Sequence, residues 1–120
     1  MKILIATILF LCLCAPCFAR DLWMPTDTAL QVTSTALMVA DWAQTRDIAK
    51  SSSFYETNEY LGRRPSAHRV DTYFASAIAL NAAIAYVLPQ PWRGYFQMST
   101  IVLEAGTVGN NYALGIKMRF

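Results

Sequence analysis

Gln97, Thr100, Glu104, Thr107 and Asn111 follow one another at steps of three, four, three and four. On an α-helix that spacing places all five on one face. Gln31, Ser34, Asp41 and Thr45 share a similar face of an earlier segment, and Asn81 stands midway along a third. Carboxyls set among amides and hydroxyls can share a proton, hold a cation or head group, or simply knit helices together by hydrogen bonds. The surrounding sequence is apolar, and a charge near a bilayer centre costs of order 3 kcal/mol on insertion scales. Glu104 therefore needs a partner or a proton. The expected arrangement is a protonated Glu104 beside Asp41 and hydrogen-bonded to Asn81, giving a buried polar group of Asp41, Thr45, Asn81, Glu104 and Asn111. Helical rise puts Asp41 roughly 10 Å and Glu104 roughly 18 Å from the same edge of the apolar zone.

Other chemistries find few residues to carry them. His68 is the only histidine, at the mouth of an apolar segment beside Arg69, and reads as a solvated loop residue. A His-based zinc site or a nucleophile–histidine pair is out of reach. Cys12, Cys14 and Cys17 all lie near the N-terminus, and Cys14-Ala-Pro-Cys17 is followed by Phe18 where haem attachment needs His. Gly106-Thr-Val-Gly109 lacks the strand, third glycine and lysine of a phosphate-binding loop. No metal, cofactor or catalytic residue is assigned. A net charge of +2, scattered along the chain, gives no nucleic-acid footprint.

The elements that must position these residues are read from hydropathy. Hydrophobic residues make up 55% of the 120 and charged residues 15%, against roughly 25% charged in an ordinary soluble domain. Residues 1–19 have the form of a secretory signal, either a peptide cleaved after Ala19 or an uncleaved signal anchor: Lys2, an apolar run from Ile3 to Leu13, and small residues at Cys17 and Ala19. Residues 20–120 then read as one helical membrane domain with spans at about 28–48, 70–88 and 95–116, each near the roughly 20 residues needed to cross hydrocarbon. The fold class expected is all-α, a three-helix transmembrane bundle after the signal segment. Small residues at Ala29, Thr33, Ala36, Ala40 and Ala43, and at Ala75, Ala79 and Ala83, are expected to form facing seams.

Lys50, Arg63, Arg64 and Arg69 crowd the first connection, the Pro89–Arg93 turn holds one basic residue, and Lys117 and Arg119 end the chain. Positive loops stay in the cytoplasm, which puts the first connection and the C-terminus inside. Trp23, Trp92, Tyr95 and Phe96 then gather at the outer interface. Ser53-Phe-Tyr-Glu56 fits a capping box and predicts a short interfacial helix ended by Gly62 and Pro65, after which Ser66 caps the second span.

Asp41-x-x-x-Thr45, Glu56-Thr-Asn58, Leu61-Gly62, Pro65-Ser66 and Tyr73-Phe74, with Glu104 and Asn110 or Asn111 later, resemble a group of small uncharacterised bacterial membrane proteins. That group's pattern runs D-x-x-x-T, E-x-N-P-x-x-G-x-x-P, and this chain departs from it at Glu59, where the pattern has Pro. The resemblance covers most of residues 41–111. It implies a helical membrane architecture and no nameable activity, and it adds Glu56 and Asn58, with neighbouring Arg63 and Arg64, as a cytoplasmic-loop motif.

The leading expectation is a non-catalytic accessory or scaffold subunit of a bacterial inner membrane, multi-pass, whose partners are the bilayer and a membrane protein or a second copy. The alternatives are an enzyme or a proton- or ion-coupled carrier using Asp41 and Glu104, and a holin-like pore-former. The strict alternation of Tyr112, Leu114, Ile116, Met118 and Phe120 also allows a terminal strand of an outer-membrane barrel, and a periplasmic helical protein is a further reading.

Overall fold

The computed structural model describes residues 21–120, and the expected signal segment with its three cysteines lies outside them. The described residues form three helices, α1 (Pro25–Lys50), α2 (Ala67–Val87) and α3 (Trp92–Ala113), with no strand. The all-α expectation holds, and the alternating tail is not a strand.

Each helix start follows from local chemistry. Pro25 occupies the first turn of α1, where its missing N–H costs nothing, and the Asp27 carboxylate accepts from the Met24 amide at 2.9 Å. The Ser66 hydroxyl accepts from the Arg69 amide at 3.2 Å and caps α2. That helix stops at Val87, two residues before Pro89, which biases its predecessor away from helical backbone. The α3 helix ends in a Schellman motif: the Gly115 amide donates to Tyr112 O and the Ile116 amide to Asn111 O, both at 3.0 Å. Gly115 sits at φ +84°, a region costly for a side chain.

The long α1 helix is the spine. It packs against both neighbours, most extensively against α3, while α2 and α3 barely touch. Leu61, Val70 and Phe74 form an apolar knot against Trp42, Ala49 and Tyr73. The Trp42 and Phe74 rings stack at 6.2 Å. Residues 115–120 then run back along α1, with the Lys117 amide donating to Asp47 at 2.9 Å and the Arg119 amide to Ala43 O at 3.1 Å.

Two expectations need correction. The small-residue seams are not the packing faces: Ala29, Thr33, Ala36, Ala75, Ala79 and Ala83 are exposed, and of the two stripes only Ala43 is fully buried. The faces that meet carry Ser34, Met38, Gln44, Thr45 and Ile48 on α1, and Val70, Phe74, Asn81 and Ala85 on α2. Inward polar groups must find partners, a demand that alanine does not make, so they select the face. The short helix after Ser53 is absent. The Glu56 carboxylate instead accepts from the Thr57 and Asn58 amides at 2.9 and 2.8 Å, and Asn58 Oδ1 accepts from the Tyr60 amide at 3.0 Å. These local bonds compete with helix formation and leave a compact loop closed by the Glu56 amide donating to Arg63 O. Of the three expected spans, α2 alone among the described residues is long and apolar enough to cross a membrane on its own. The α1 helix carries Asp41, Arg46 and Asp47 in its second half.

Candidate functional site

Two polar groups occupy the interior, at opposite ends of the α1–α3 contact. Near the start of α1, Asp27 forms a buried ion pair with Arg93 at 3.0 Å, and its other oxygen accepts from Gln90 at 2.7 Å. Arg93 also donates to Ala85 O at 3.0 Å and lies over the Trp23 ring at 5.0 Å. Gln97, fully buried, donates to Asp27 O at 3.0 Å and to Gln31 Oε1 at 3.1 Å. Gln31 donates to Asn81 Oδ1 at 3.0 Å, and Asn81 donates to Thr100 Oγ1 at 3.1 Å. The chain of contacts ties all three helices and leaves Gln97 Oε1 as its one buried atom without a partner. Burial would raise the Asp27 acid, but the Met24 amide, Arg93 and Gln90 outweigh it and hold the carboxyl below the usual carboxylate range.

Half-way along α1 the second group begins. Asp41 accepts from Thr45 at 3.5 Å and from Asn111 at 3.4 Å. Asn111 also donates to Gln44 Oε1 at 3.2 Å, and Gln44, fully buried, donates to Val108 O at 3.2 Å. Glu104 lies next to Asp41, so two carboxyls adjoin in the interior. Glu104 Oε2 is buried without a partner in the protein. The ion pairs among the described residues are Arg46–Asp71, Arg93–Asp27 and Arg119–Asp47, so no basic side chain neutralises Asp41, Glu104 or Glu56.

This second group borders a cavity of about 310 Å³. Asp41, Thr45, Asn110 and Asn111 line it from the helices, Glu56 and Asn58 from the loop, and Phe54, Phe74 and Ile116 give it an apolar wall. Several elements of the resembling pattern, spread from Asp41 to Asn111 in the chain, therefore meet at one opening. Glu104 stands behind Asp41 rather than on the cavity wall.

The expected site residues thus divide. Asp41, Thr45, Glu104 and Asn111 come together, and Glu56 and Asn58 join them. Asn81 does not: it bonds Gln31 and Thr100 in the other group, and the expected Glu104–Asn81 bond is replaced by the Asp41–Glu104 contact. Asn81 stands nearer the Thr100 level of α3, one turn before Glu104. Arg63 stacks over Tyr55 at 4.5 Å and Arg64 donates to Ser51 O at 3.3 Å, so neither lines the cavity. Sequence reasoning missed Arg93, Asp27 and Gln90, which it left in a turn and at a helix end. It also missed Ile116, whose signal was the glycine before it. His68 is exposed in the first turn of α2, and no three acids, histidines or cysteines among the described residues could hold a metal ion. Comparison with protein-family models, characterised proteins and solved structures finds no match.

Proposed function

We propose that the chain is a small bacterial membrane protein that acts without catalysis, as an accessory or scaffold subunit working through its outer helix faces and basic loop. The observation that carries this reading is an inverted polarity. Asp27, Ser34, Gln44, Thr45, Asn81, Arg93 and Gln97 are buried, while Leu80, Tyr86, Val87, Met98, Val102, Leu103 and Tyr112 face outward. A water-soluble bundle buries its apolar stripe and wets its polar one; lipid reverses the preference. Only 22% of the most apolar stretch of α2 is buried within the protein, unlike a soluble core helix. The acids of α1 are turned towards α3 or the tail, so α1 would cross beside its neighbours rather than alone.

An aromatic group marks one end of the bundle: Trp92 meets Tyr95 at 6.1 Å and Trp23 meets Tyr86 at 6.3 Å. Arg63, Arg64 and Arg69 are exposed at the other end. That division supports a cytoplasmic basic loop and an external Pro-Trp turn. Reporter fusions after Arg64, Trp92 and Phe120 should read cytoplasmic, external and cytoplasmic. Three external reporters, or release of the protein by carbonate washing, would reject the membrane reading. Mild detergent extraction should recover one stable partner.

A second reading, a proton- or ion-coupled carrier, is favoured by the adjoining carboxyls of Asp41 and Glu104 with no basic partner. Loss of coupled uptake in Glu104→Gln with the fold intact would select it over the scaffold role.

A further inference from the structure

The cavity beside Asp41 has room for an occupant. At about 310 Å³ it falls at the small end of ligand pockets. Its lining divides into two kinds. Hydrogen-bond acceptors come from three separate segments: Asp41 on α1, Glu56 and Asn58 on the loop, and Asn110 on α3. Phe54 and Phe74 line the same cavity and give it apolar, aromatic surface.

Charge gives the sign of the ligand. Asp41 and Glu56 reach the cavity wall and Glu104 stands directly behind, whereas no lysine, arginine or histidine lines it. The nearby arginines are engaged elsewhere: Arg63 lies over Tyr55, Arg64 bonds Ser51 O and Arg69 bonds Tyr60 O at 2.7 Å. An anion would meet two carboxyls and no counter-charge. A bare metal ion is disfavoured by the spread of the acids, since no three of them converge as ligands. An extended cation with an apolar portion can touch both walls at once.

We propose that this cavity binds an organic ammonium ion, its N–H groups donating to Asp41, Glu56 and the Asn110 side-chain carbonyl while its carbon chain lies against Phe54 and Phe74. The inference concerns the folded bundle and stands apart from the membrane reading. The same ammonium chemistry is offered by a free alkylamine and by the ethanolamine head group of a phospholipid.

Titration calorimetry of the full chain in maltoside detergent tests this with n-butylamine, and with n-butanol as the uncharged match. Saturable binding of butylamine but not butanol is expected, weakened about tenfold or more by Glu56→Gln and by Asp41→Asn, as for loss of a charge-assisted hydrogen bond. Glu56 lies on the loop outside the helices, so Glu56→Gln keeps the test sound should Asp41→Asn fail to fold. Equal binding of butanol, no saturable binding of butylamine, or binding indifferent to Glu56→Gln would each overturn the proposal. In nanodiscs, a thermal shift from phosphatidylethanolamine that Glu56→Gln abolishes assigns the ligand to the lipid. Butylamine binding without that shift assigns it to a free amine.

Discussion

The Asp27 group and the Asp41 group are built from the same materials: acids, amides and hydroxyls on the facing sides of α1 and α3. At the first, Asp27 has a guanidinium at 3.0 Å and an amide at 2.7 Å. At the second, Asp41 receives two long hydrogen bonds of 3.4 and 3.5 Å, adjoins another acid and borders an opening. Buried polar groups whose charges are paired specify packing. Acids left beside empty space hold unspent interaction, and sites are found where such groups converge. The lesson is that polarity inside a bundle does not identify a site; the lack of a counter-charge does.

The largest expected effect falls on the partnered group. Arg93→Ala strands the Asp27 charge in the interior and should cost about 3–5 kcal/mol, read from denaturant unfolding. Replacing both partners, Asp27→Leu with Arg93→Met, should recover most of that loss. If the double variant is as unstable as the single, the ion pair is not what distinguishes this end. Next in size, Gly115→Ala forces a methyl into a left-handed backbone at φ +84° and should cost about 1 kcal/mol, measured as a lowered Tm. The Cβ itself meets nothing within 4 Å, so any larger loss would have to come from displaced tail contacts around the cavity. Glu104→Gln should move stability by less than about 1 kcal/mol, because an amide can donate to Asp41 where the acid needed a proton. A loss equal to that of Arg93→Ala would erase the contrast between the groups.

Acid titration separates the two ends again. The Asp27 carboxyl is held low in the folded protein, so its contribution is complete above the ordinary aspartate value and disappears as pH falls through the lower folded one. Circular dichroism of the wild type should therefore show acid-induced loss of stability at the bottom of the carboxylate range, and Asp27→Asn should abolish that component.

Much of this arrangement could be read from periodicity. The spacing of Gln97, Thr100, Glu104 and Asn111 depends only on 3.6 residues per turn; Gln97, Glu104 and Asn111 turn towards α1 and Thr100 towards Asn81 of α2. Ser66 as a cap and Pro89 as a stop rest on equally local rules. What could not be read was pairing across the chain. Arg93 looked like a loop charge because its partner lies 66 positions earlier. Ala75, Ala79 and Ala83 fit a packing stripe by spacing, yet spacing does not say which of two stripes meets the neighbour. The capping signature at Ser53 was legible and still lost, since the Glu56 and Asn58 side chains bind their own following amides.

One wall of the opening beside Asp41 is made by Ile116, which belongs to no helix. Its position is fixed by the extended run that continues to Phe120, whose ring abuts Trp42 edge-on at 5.6 Å. Peeling that run away would enlarge the mouth without unwinding a single turn of α1, α2 or α3. A fusion protein joined at Phe120 pulls on the same strip, so any cargo attached there should be spaced well clear of the indole it rests against.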